Sequence, residues 1–581
     1  MTNPLPTLDR RGFVTLGGAA AAAAWLGLGT PAAAGPPRTL HVRDFGALPD
    51  DDADDTAAIR RAIAAAIATG MPTVVRFDAG TYRLGPDAAG GASLPIADAV
   101  GLTLAGAVGR DGTPLTRLVT GLAPANDIEP ATQFSLSDCR DVTLRDLVLD
   151  YGPRATTSGE IVAVDPATDE VQVDVFEGSA HFDGMRCYSA NSWDLATRRL
   201  NHVAPLTIGA NPDQFGNLWH SVPGGAGRRY KITGFGFSDR VRPGDGASWH
   251  FNVTGGSYNL LALGCRDLRL ENLRIHNAVG AGILAGYGHN LTCRRLRFEP
   301  GGDDLAVGPR DAVHLSNSTG TLVVDDCYLK GVRWDPLVSR STFLKLTEIT
   351  DGRRIVITSA AGNSSRALPF AAGDELTFWS GTRPGTGRIA AVTPLDETGA
   401  AVAVTLAADL PADAALGTLV SSSGHEWDEV RLTRTTVEGN IGTAVVFLNR
   451  NLLIEGCRFA NNAYHDLGFG STSAATGSFG RDIVIRNNRF DGSAWIRKYA
   501  KLPYSSAIMT LSNNAAFDTQ AYNSRITIEG NEFTGLDREP FQAGVYLTNA
   551  HDVTVRGNSY RGVGHRVVVD EASTSAVDVR D

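Results

Sequence analysis

The sequence is poor in charged residues, and especially in lysine, for its length. Charged residues make up 20% of the 581 positions and hydrophobic residues 43%, a balance that supports a large core and excludes an intrinsically disordered chain. Only five of the 53 basic residues are lysine, and 63 acidic residues bring the net charge to −10. This charge disfavours partners bound mainly by electrostatic attraction, such as nucleic acid or an anionic membrane surface.

Long hydrophobic segments are also missing from most of the chain. No segment after residue 34 reaches about 18 uninterrupted apolar residues, so we expect no membrane span in the mature protein. Residues 1–34 differ, because Arg10 and Arg11 precede a weakly hydrophobic Ala/Leu/Gly stretch that ends in three alanines, Ala32 to Ala34. This pattern is typical of a twin-arginine signal peptide and predicts a secreted protein that begins at about residue 35.

A short phrase of alternating apolar residues recurs along the chain. Each copy predicts a strand, a turn and a second strand. In four adjacent pairs the copies begin 23, 31, 31 and 27 residues apart, as in the coils of a solenoid with variable loops. The copies begin at Val142, Leu268, Leu291, Leu322, Leu452, Ile483, Ile526 and Val553. These repeats predict an all-β fold, a right-handed parallel β-helix.

One turn position of the repeat carries cysteine or asparagine. Its occupants are Cys327, Cys457, Asn488, Asn531 and Asn558. Side chains stacked at such a position can satisfy buried backbone groups along the solenoid. We therefore interpret the cysteines as small buried core residues and not as a disulfide framework.

The segment before the repeats predicts a cap on the solenoid. A strand and an acidic turn lead into an Ala/Ile-rich helix from about Thr56, with Asp54 or Asp55 as its cap. Such a helix closes the hydrophobic end of a solenoid. The cap and the following VVRFDAGTYRLG phrase resemble the start of pectate-lyase-like and polygalacturonase-like β-helix enzymes, which implies the fold and a general class.

Two stretches interrupt the repeats and divide the chain. Residues 151–250 and 345–425 share a G-x-I-x-A-V phrase and a G-D turn, and predict two small, related β-barrel-like insertions. They separate the cap and first coils at 35–150, the coils at 251–344 and the C-terminal coils at 426–581. Long loops in solenoids commonly build the binding face.

Two aspartates one coil apart are the candidate catalytic pair. Asp311 and Asp335 each precede a predicted strand and are separated by 24 residues, so their strands should lie on adjacent coils about 4.8 Å apart. Glycoside hydrolysis needs two such carboxyl groups, one as acid and one as base or nucleophile. We expect close like charges to raise the pKa of one of them. The spacing leaves retention and inversion open.

Other carboxylates and a histidine accompany this pair as weaker candidates. Later strands of the same kind bring His465 and Asp466 near the expected groove, where either can contact substrate. A third carboxylate can come from the GGDD turn at Asp303 and Asp304, or from Glu426. Turn formation or solvation is the alternative role for all three.

The order of these features resembles glycoside hydrolase family 110, whose members are β-helix exo-α-1,3-galactosidases that invert configuration and use no metal. The LGCRDLRLENLRIHN and RDAVHLSNSTGTLVVDDCYLKG phrases carry the resemblance. In the family pattern an A-D-A-T-H-F phrase matches at Asp311 and His314, and the second aspartate of a D-D pair matches at Asp335. Trp334 stands in place of the first aspartate of that pair, and Arg340 in place of a histidine.

These departures shift the expected specificity or remove the activity. We expect an exported glycoside hydrolase of shifted specificity that releases a terminal, α-galactoside-like sugar with two carboxyl groups, and the resemblance implies inversion. Trp334 can stack on a pyranose face, and Arg340 can recognise a carboxylate or several hydroxyls. We expect an oligo- or polysaccharide substrate, with no cofactor and no metal. The alternatives are a non-catalytic carbohydrate-binding β-helix protein and a polysaccharide lyase acting beside a uronate carboxylate. The oligomeric state and the sugar are not predicted.

Overall fold

The computed structural model describes residues 37–85, 91–126, 131–206, 218–234, 236–251, 256–360, 370–396, 399–471 and 476–581. The predicted signal peptide at 1–34 lies outside these residues. Within them, no helix has the length and apolar character needed to cross a membrane.

Three parallel sheets run the length of the chain and confirm the predicted right-handed β-helix. Each coil passes from sheet 1 to sheet 2, then to sheet 3, and returns to sheet 1. The strands of sheet 1 are Ala92–Ala97, Thr132–Ser137, Tyr258–Leu263, Ala281–Gly286, Val313–Ser316, Leu337–Thr342, Val445–Phe447, Leu467–Phe469, Ser505–Thr510, Gln542–Leu547 and His565–Val569.

Sheets 2 and 3 complete the coils. The strands of sheet 2 are Arg38–His41, Thr73–Arg76, Leu102–Ala105, Thr143–Arg145, Arg266–Glu271, His289–Arg294, Thr319–Asp325, Glu429–Thr433, Arg450–Glu455, Arg481–Arg486, Asn523–Glu529, Ala550–Arg556 and Thr574–Arg580. Those of sheet 3 are Gly80–Leu84, Thr116–Gly121, Leu147–Gly152, Arg274–Ile275, Arg297–Phe298, Tyr328–Lys330, Thr436–Glu438, Arg458–Ala460, Arg489–Asp491, Glu532–Leu536 and Ser559–Val563. Alternate residues of each strand point into one continuous core.

Stacked side chains hold successive coils together. At the predicted ladder position, the amide N–H of Cys457 donates to Asn488, that of Asn488 to Asn531, and that of Asn531 to Asn558. All six cysteines are buried and none forms a disulfide bond, in agreement with their interpretation as core residues. In sheet 3 an aromatic stack runs along the solenoid at centroid distances of 5.1, 4.9 and 5.1 Å, through Phe459, Phe490, Phe533 and Tyr560.

The predicted helix covers the N-terminal end of the core. It spans Thr56–Ala68 and buries its Ala/Ile face in the same cluster as the first coils. Asp54 accepts a hydrogen bond from the first helical amide, that of Thr56, at 2.9 Å. Asp55 instead accepts hydrogen bonds from the amides of Leu48 and Arg83, and so ties the acidic turn to the neighbouring strand. Short 3-10 helices lie at Val42–Phe45, Gly225–Gly227, Ser423–His425 and Ala515–Phe517.

The two insertions differ in closure. The first is an antiparallel half-barrel sheet of Thr156–Asp165, Glu170–Val175, Met185–Arg186, Tyr188–Asp194, Arg199–Leu200, Leu218–Ser221, Arg229–Thr233 and Asp245–His250. The second is a closed barrel of Leu344–Ile349, Arg354–Ser359, Glu375–Trp379, Gly385–Pro394, Ala401–Leu406 and Leu419–Ser422. The first leaves the solenoid between sheets 3 and 1, on the side where the candidate aspartates lie.

Candidate active site

The site lies where the loops from sheet 3 enter sheet 1. The strands that follow Asp311 and Asp335 are direct neighbours, with Val313 paired to Leu337, so the two aspartates occupy equivalent positions on adjacent coils. The next loop packs closely on the second aspartate. A Cβ at Gly442 would lie 2.1 Å from the carbonyl oxygen of Trp334, so only glycine allows this approach.

Asp311 forms a buried pair with His314. Its Oδ2 accepts a hydrogen bond from His314 Nδ1 at 2.6 Å, and its Oδ1 accepts one from the Asp335 amide at 3.1 Å. His314 lies on the outer face of its strand because its neighbours Val313 and Leu315 point into the core. The Nε2 atom of His314 is buried and has no hydrogen-bond partner among the described residues.

The electrostatics of Asp311 differ from the expectation that close carboxylates raise a pKa. Burial acts to raise the pKa of the Asp311 carboxyl, but the hydrogen bond from His314 and the charges of Arg310 and Arg340 outweigh it and hold the pKa below its ordinary value. Burial lowers the pKa of His314. The expectation of an acid with a raised pKa is therefore wrong for Asp311, because cations surround the pair.

Asp335 is held by a lysine that the sequence did not point to. Its Oδ1 accepts hydrogen bonds from the Thr443 amide at 2.6 Å and from Lys498 Nζ at 3.2 Å. The side chains of Asp335 and Lys498 are 15% and 23% exposed, so the pair is accessible from solvent. Lys498 lies 163 residues beyond Asp335 and three coils further along, in a segment without a motif.

Lys498 is itself embedded in a polar and aromatic pocket. Its ammonium donates to Thr443 Oγ1 at 2.8 Å and lies 5.6 and 5.9 Å from the ring centroids of Tyr464 and Tyr499. Although burial opposes its charge, the attraction of Asp335 and the two tyrosines raises the pKa of Lys498, so the ammonium form is stable. His465 joins this group through Thr443 Oγ1, 3.1 Å from its Nε2, and burial lowers its pKa.

Two guanidinium groups and an indole complete the exposed part of the site. The Arg310 guanidinium lies 5.9 Å from the ring centroid of Trp334, and both side chains are half-buried. Arg340 points outward from its strand and donates to Thr476 Oγ1 at 3.1 Å. Its charge acts on both Asp311 and Asp335. Trp334 and Arg340 therefore lie beside the aspartates, in keeping with the positions expected from the sequence.

The remaining carboxylates take structural positions. Asp466 is fully buried, accepts a hydrogen bond from Asn462 at 2.8 Å, and has its pKa raised to about 7 by burial. Asp304 pairs with Arg154 at 2.9 Å, and Glu426 pairs with Arg481 at 2.9 Å. The carboxyl groups of Asp304 and Glu426 are both buried. Asp303 is exposed. None of these carboxyl groups is bonded to Asp311 or Asp335.

The first insertion forms one wall beside the site. Trp193 of its sheet packs with Leu305, Ile441 and Trp495, which belong to the loops that carry Asp311, Thr443 and Lys498. The half-barrel therefore supports three loops of the site. No group of three or more histidine, cysteine, aspartate or glutamate side chains in the described ranges is arranged to hold a metal ion.

Two regions of the chain match known families. Residues 39–112 match a family described as rhamnogalacturonase A/epimerase, pectate lyase-like, and residues 417–579 match the right-handed β-helix region family. The first covers the cap helix and the first coils, and the second covers the C-terminal coils. Both matches agree with the architecture of the solenoid.

The chain is similar to curated proteins of Bacteroides fragilis and Akkermansia muciniphila. The chain is 25% identical over 297 residues to alpha-1,3-galactosidase A of Bacteroides fragilis, covering 48% of this chain and 46% of that protein. It is 22% identical over 537 residues to alpha-1,3-galactosidase B of Akkermansia muciniphila, covering 86% of this chain and 63% of that protein. The chain thus spans less than two thirds of the length of either relative.

Among solved structures, the A-module of the mannuronan C-5 epimerase AlgE4 from Azotobacter vinelandii aligns over 92% of this chain and 99% of its own, with 14% identity and a TM-score of 0.40. The family 28 exopolygalacturonase of Yersinia enterocolitica aligns over 94% of this chain and 79% of its own, with 11% identity and a TM-score of 0.37.

The resemblance found in the sequence is confirmed by the curated relatives: the chain is a right-handed parallel β-helix protein with α-1,3-galactosidases among its relatives.

Proposed function

We propose that the protein is a glycoside hydrolase that releases a terminal sugar from a glycan, with α-galactoside-like substrates and inversion of configuration. The placement of Asp311 and Asp335 at equivalent positions on adjacent coils is the observation that carries this proposal. The similarity to proteins named α-1,3-galactosidases supports the reaction class.

In this proposal Asp335 is the base. Lys498 and the Thr443 amide both bind Oδ1 of Asp335, which leaves the other carboxylate oxygen to take a proton from the attacking water. The water oxygen bonds to the anomeric carbon as the bond from that carbon to the leaving oxygen breaks. Lys498 remains an ammonium ion, so it is not the base that a lyase would need.

The proton for the leaving oxygen comes from the Asp311–His314 pair in its protonated form. The two groups share a hydrogen bond of 2.6 Å and titrate together, and Nε2 of His314 has no other partner. Because burial lowers the pKa of His314, the pair takes up this additional proton only at acidic pH. We therefore expect kcat to rise as the pH is lowered from 7 toward 5.

A carbohydrate-binding protein without catalysis is the second candidate. The observation that favours it is the pKa of Asp311, which lies below its ordinary value and leaves this carboxyl without a proton near neutral pH. In that case Trp334 and the carboxylates would bind sugar and release nothing. Both candidates place the sugar beside Asp311, Asp335 and Trp334, so product release separates them.

The test is monosaccharide release from α- and β-linked nitrophenyl glycosides and from galactose-, arabinose- and uronate-terminated oligosaccharides. We expect activity on one terminal sugar, and a loss of at least a hundredfold in Asp311→Asn and in Asp335→Asn. Asp303→Asn is the matched control, since this exposed aspartate lies in the same loop as Asp311. Binding without release from any substrate would contradict hydrolysis and support the second candidate.

We also propose export of the folded protein through the twin-arginine signal at 1–34. Arg10 and Arg11 carry this proposal. Exchange of both for lysine should retain the precursor inside the producing cell, whereas the unchanged chain should appear outside the cytoplasm without residues 1–34. Export of the lysine variant at the normal rate would contradict it.

A further inference from the structure

Two guanidinium groups lie beside the candidate aspartates without an ion-pair partner. Neither Arg310 nor Arg340 has a carboxylate oxygen within 4.0 Å among the described residues. Arg310 lies over the indole of Trp334, and Arg340 donates one hydrogen bond to the neutral hydroxyl of Thr476. Both side chains are half-buried, so they have lost part of their hydration without gaining a counter-ion.

The nearby carboxylates already have partners. Asp311 is bonded to His314, and Asp335 to Lys498 and Thr443. The site therefore holds three permanent cations, Arg310, Arg340 and Lys498, against two carboxylates. Burial also lowers the pKa of Arg340, which shows that the protein around it compensates its charge only in part.

This excess of positive charge is local. The chain as a whole carries a net charge of −10. Several arginines on the outer surface of the solenoid pair with carboxylates of neighbouring coils, as in Arg458–Glu438, Arg486–Glu455 and Arg525–Asp482. Arg310 and Arg340 are half-buried and lack such a partner within the described ranges, although two carboxylates lie nearby.

We propose that Arg310 and Arg340 form a subsite for an anionic group of the substrate, so that the protein selects a terminal sugar bearing a carboxylate or a sulfate. A guanidinium binds either group through two parallel hydrogen bonds. Trp334, beside Arg310, offers the flat apolar surface on which a pyranose ring stacks. This inference rests on the proposed function because it places the sugar in the same groove.

The experiment measures binding of galactose, galacturonate and galactose 6-sulfate to the intact protein by calorimetry. We expect one of the two acidic sugars to bind at least tenfold more tightly than galactose, with a preference that weakens as salt is raised. The carboxylate and the sulfate arms identify which anion is selected. Equal or tighter binding of galactose, or no binding of either acidic sugar, would overturn the inference.

Substitutions assign the preference to these two residues. Arg340→Gln should bring the affinity ratio of acidic to neutral sugar to within twofold, and Arg340→Lys should keep part of the ratio. Arg310→Gln is the second variant if Arg340→Gln does not fold. Arg458→Gln, at a paired arginine, is the control and should leave the ratio unchanged. An unchanged ratio in folded Arg340→Gln and Arg310→Gln would refute the assignment.

Hydrolysis assays on α-galactosides and α-galacturonides separate this inference from the proposed function. Release of galactose without any preference for acidic sugar in binding contradicts the anionic subsite alone. Preferential binding of an acidic sugar without release from any substrate contradicts hydrolysis and leaves the subsite supported.

Discussion

Lys498 provides the most direct test of the site because its ammonium is the one charged group bonded to the Asp335 carboxylate in the part of the chain that the structure describes. Lys498→Met keeps most of the side-chain length and removes the ammonium. The Asp335 carboxylate then keeps the hydrogen bond from the Thr443 amide at 2.6 Å, and Thr443 Oγ1 loses its 2.8 Å contact with Nζ. We expect a loss of activity with a smaller effect on folding.

The magnitude follows from the burial of the pair. Breaking a fully buried ion pair costs about 3–5 kcal/mol, and an exposed pair is worth about 0–1 kcal/mol. With side chains 15% and 23% exposed, the Asp335–Lys498 pair lies between these limits, at about 2 kcal/mol. If this interaction positions the base in the transition state, kcat/KM should fall about 30-fold.

The assay is kcat/KM on the glycoside that the substrate panel identifies, with urea denaturation in parallel. Lys498→Arg keeps the charge and should recover part of the loss. Lys501→Met is the matched control, three residues further on, since Lys501 pairs with Asp518 at the exposed surface. A value of kcat/KM within twofold of wild type in folded Lys498→Met, together with an inactive Asp335→Asn, would refute the role of Lys498.

Four further predictions concern stability in urea. Asp311→Asn should lower the free energy of unfolding by about 1.5–3 kcal/mol at pH 7. The pKa of Asp311 in the folded protein lies below the unfolded value of about 3.9, so its contribution to stability is lost as the pH falls through the folded pKa. The difference in stability between wild type and Asp311→Asn should therefore narrow at pH 3. Asp466 has a folded pKa raised to about 7, so wild-type stability falls as the pH rises through that value, and Asp466→Asn should be the more stable protein at pH 8 but not at pH 4. Phe490→Ala removes a ring stacked between those of Phe459 and Phe533 and should lower the free energy of unfolding by about 3–5 kcal/mol. Asn488→Ala leaves the buried amide of Cys457 without its acceptor and should lower the free energy of unfolding by about 1–3 kcal/mol. This loss should exceed that of Asn558→Ala, at the half-exposed end of the ladder.

Much of the fold could be predicted because a solenoid repeats one local pattern. Alternating apolar residues and the shared turn position recur in every copy, and each strand pairs with its equivalent in the next coil. The same regularity placed Asp311 and Asp335 on adjacent coils, as the pairing of Val313 with Leu337 confirms. It also placed Cys457 and Asn488 in one ladder.

The sequence by itself therefore determined the β-helix, its cap, the interruptions by two insertions and the pairing of the strands that follow the two aspartates. Only the tertiary structure decided the chemical environment of these aspartates. Lys498 reaches Asp335 across 163 residues, and Thr443 across 108, because insertions and loops of variable length separate coils that are close in space. The pKa of Asp311 likewise depends on His314, Arg310 and Arg340 together, and charge acts through distance and burial, which a linear pattern does not contain.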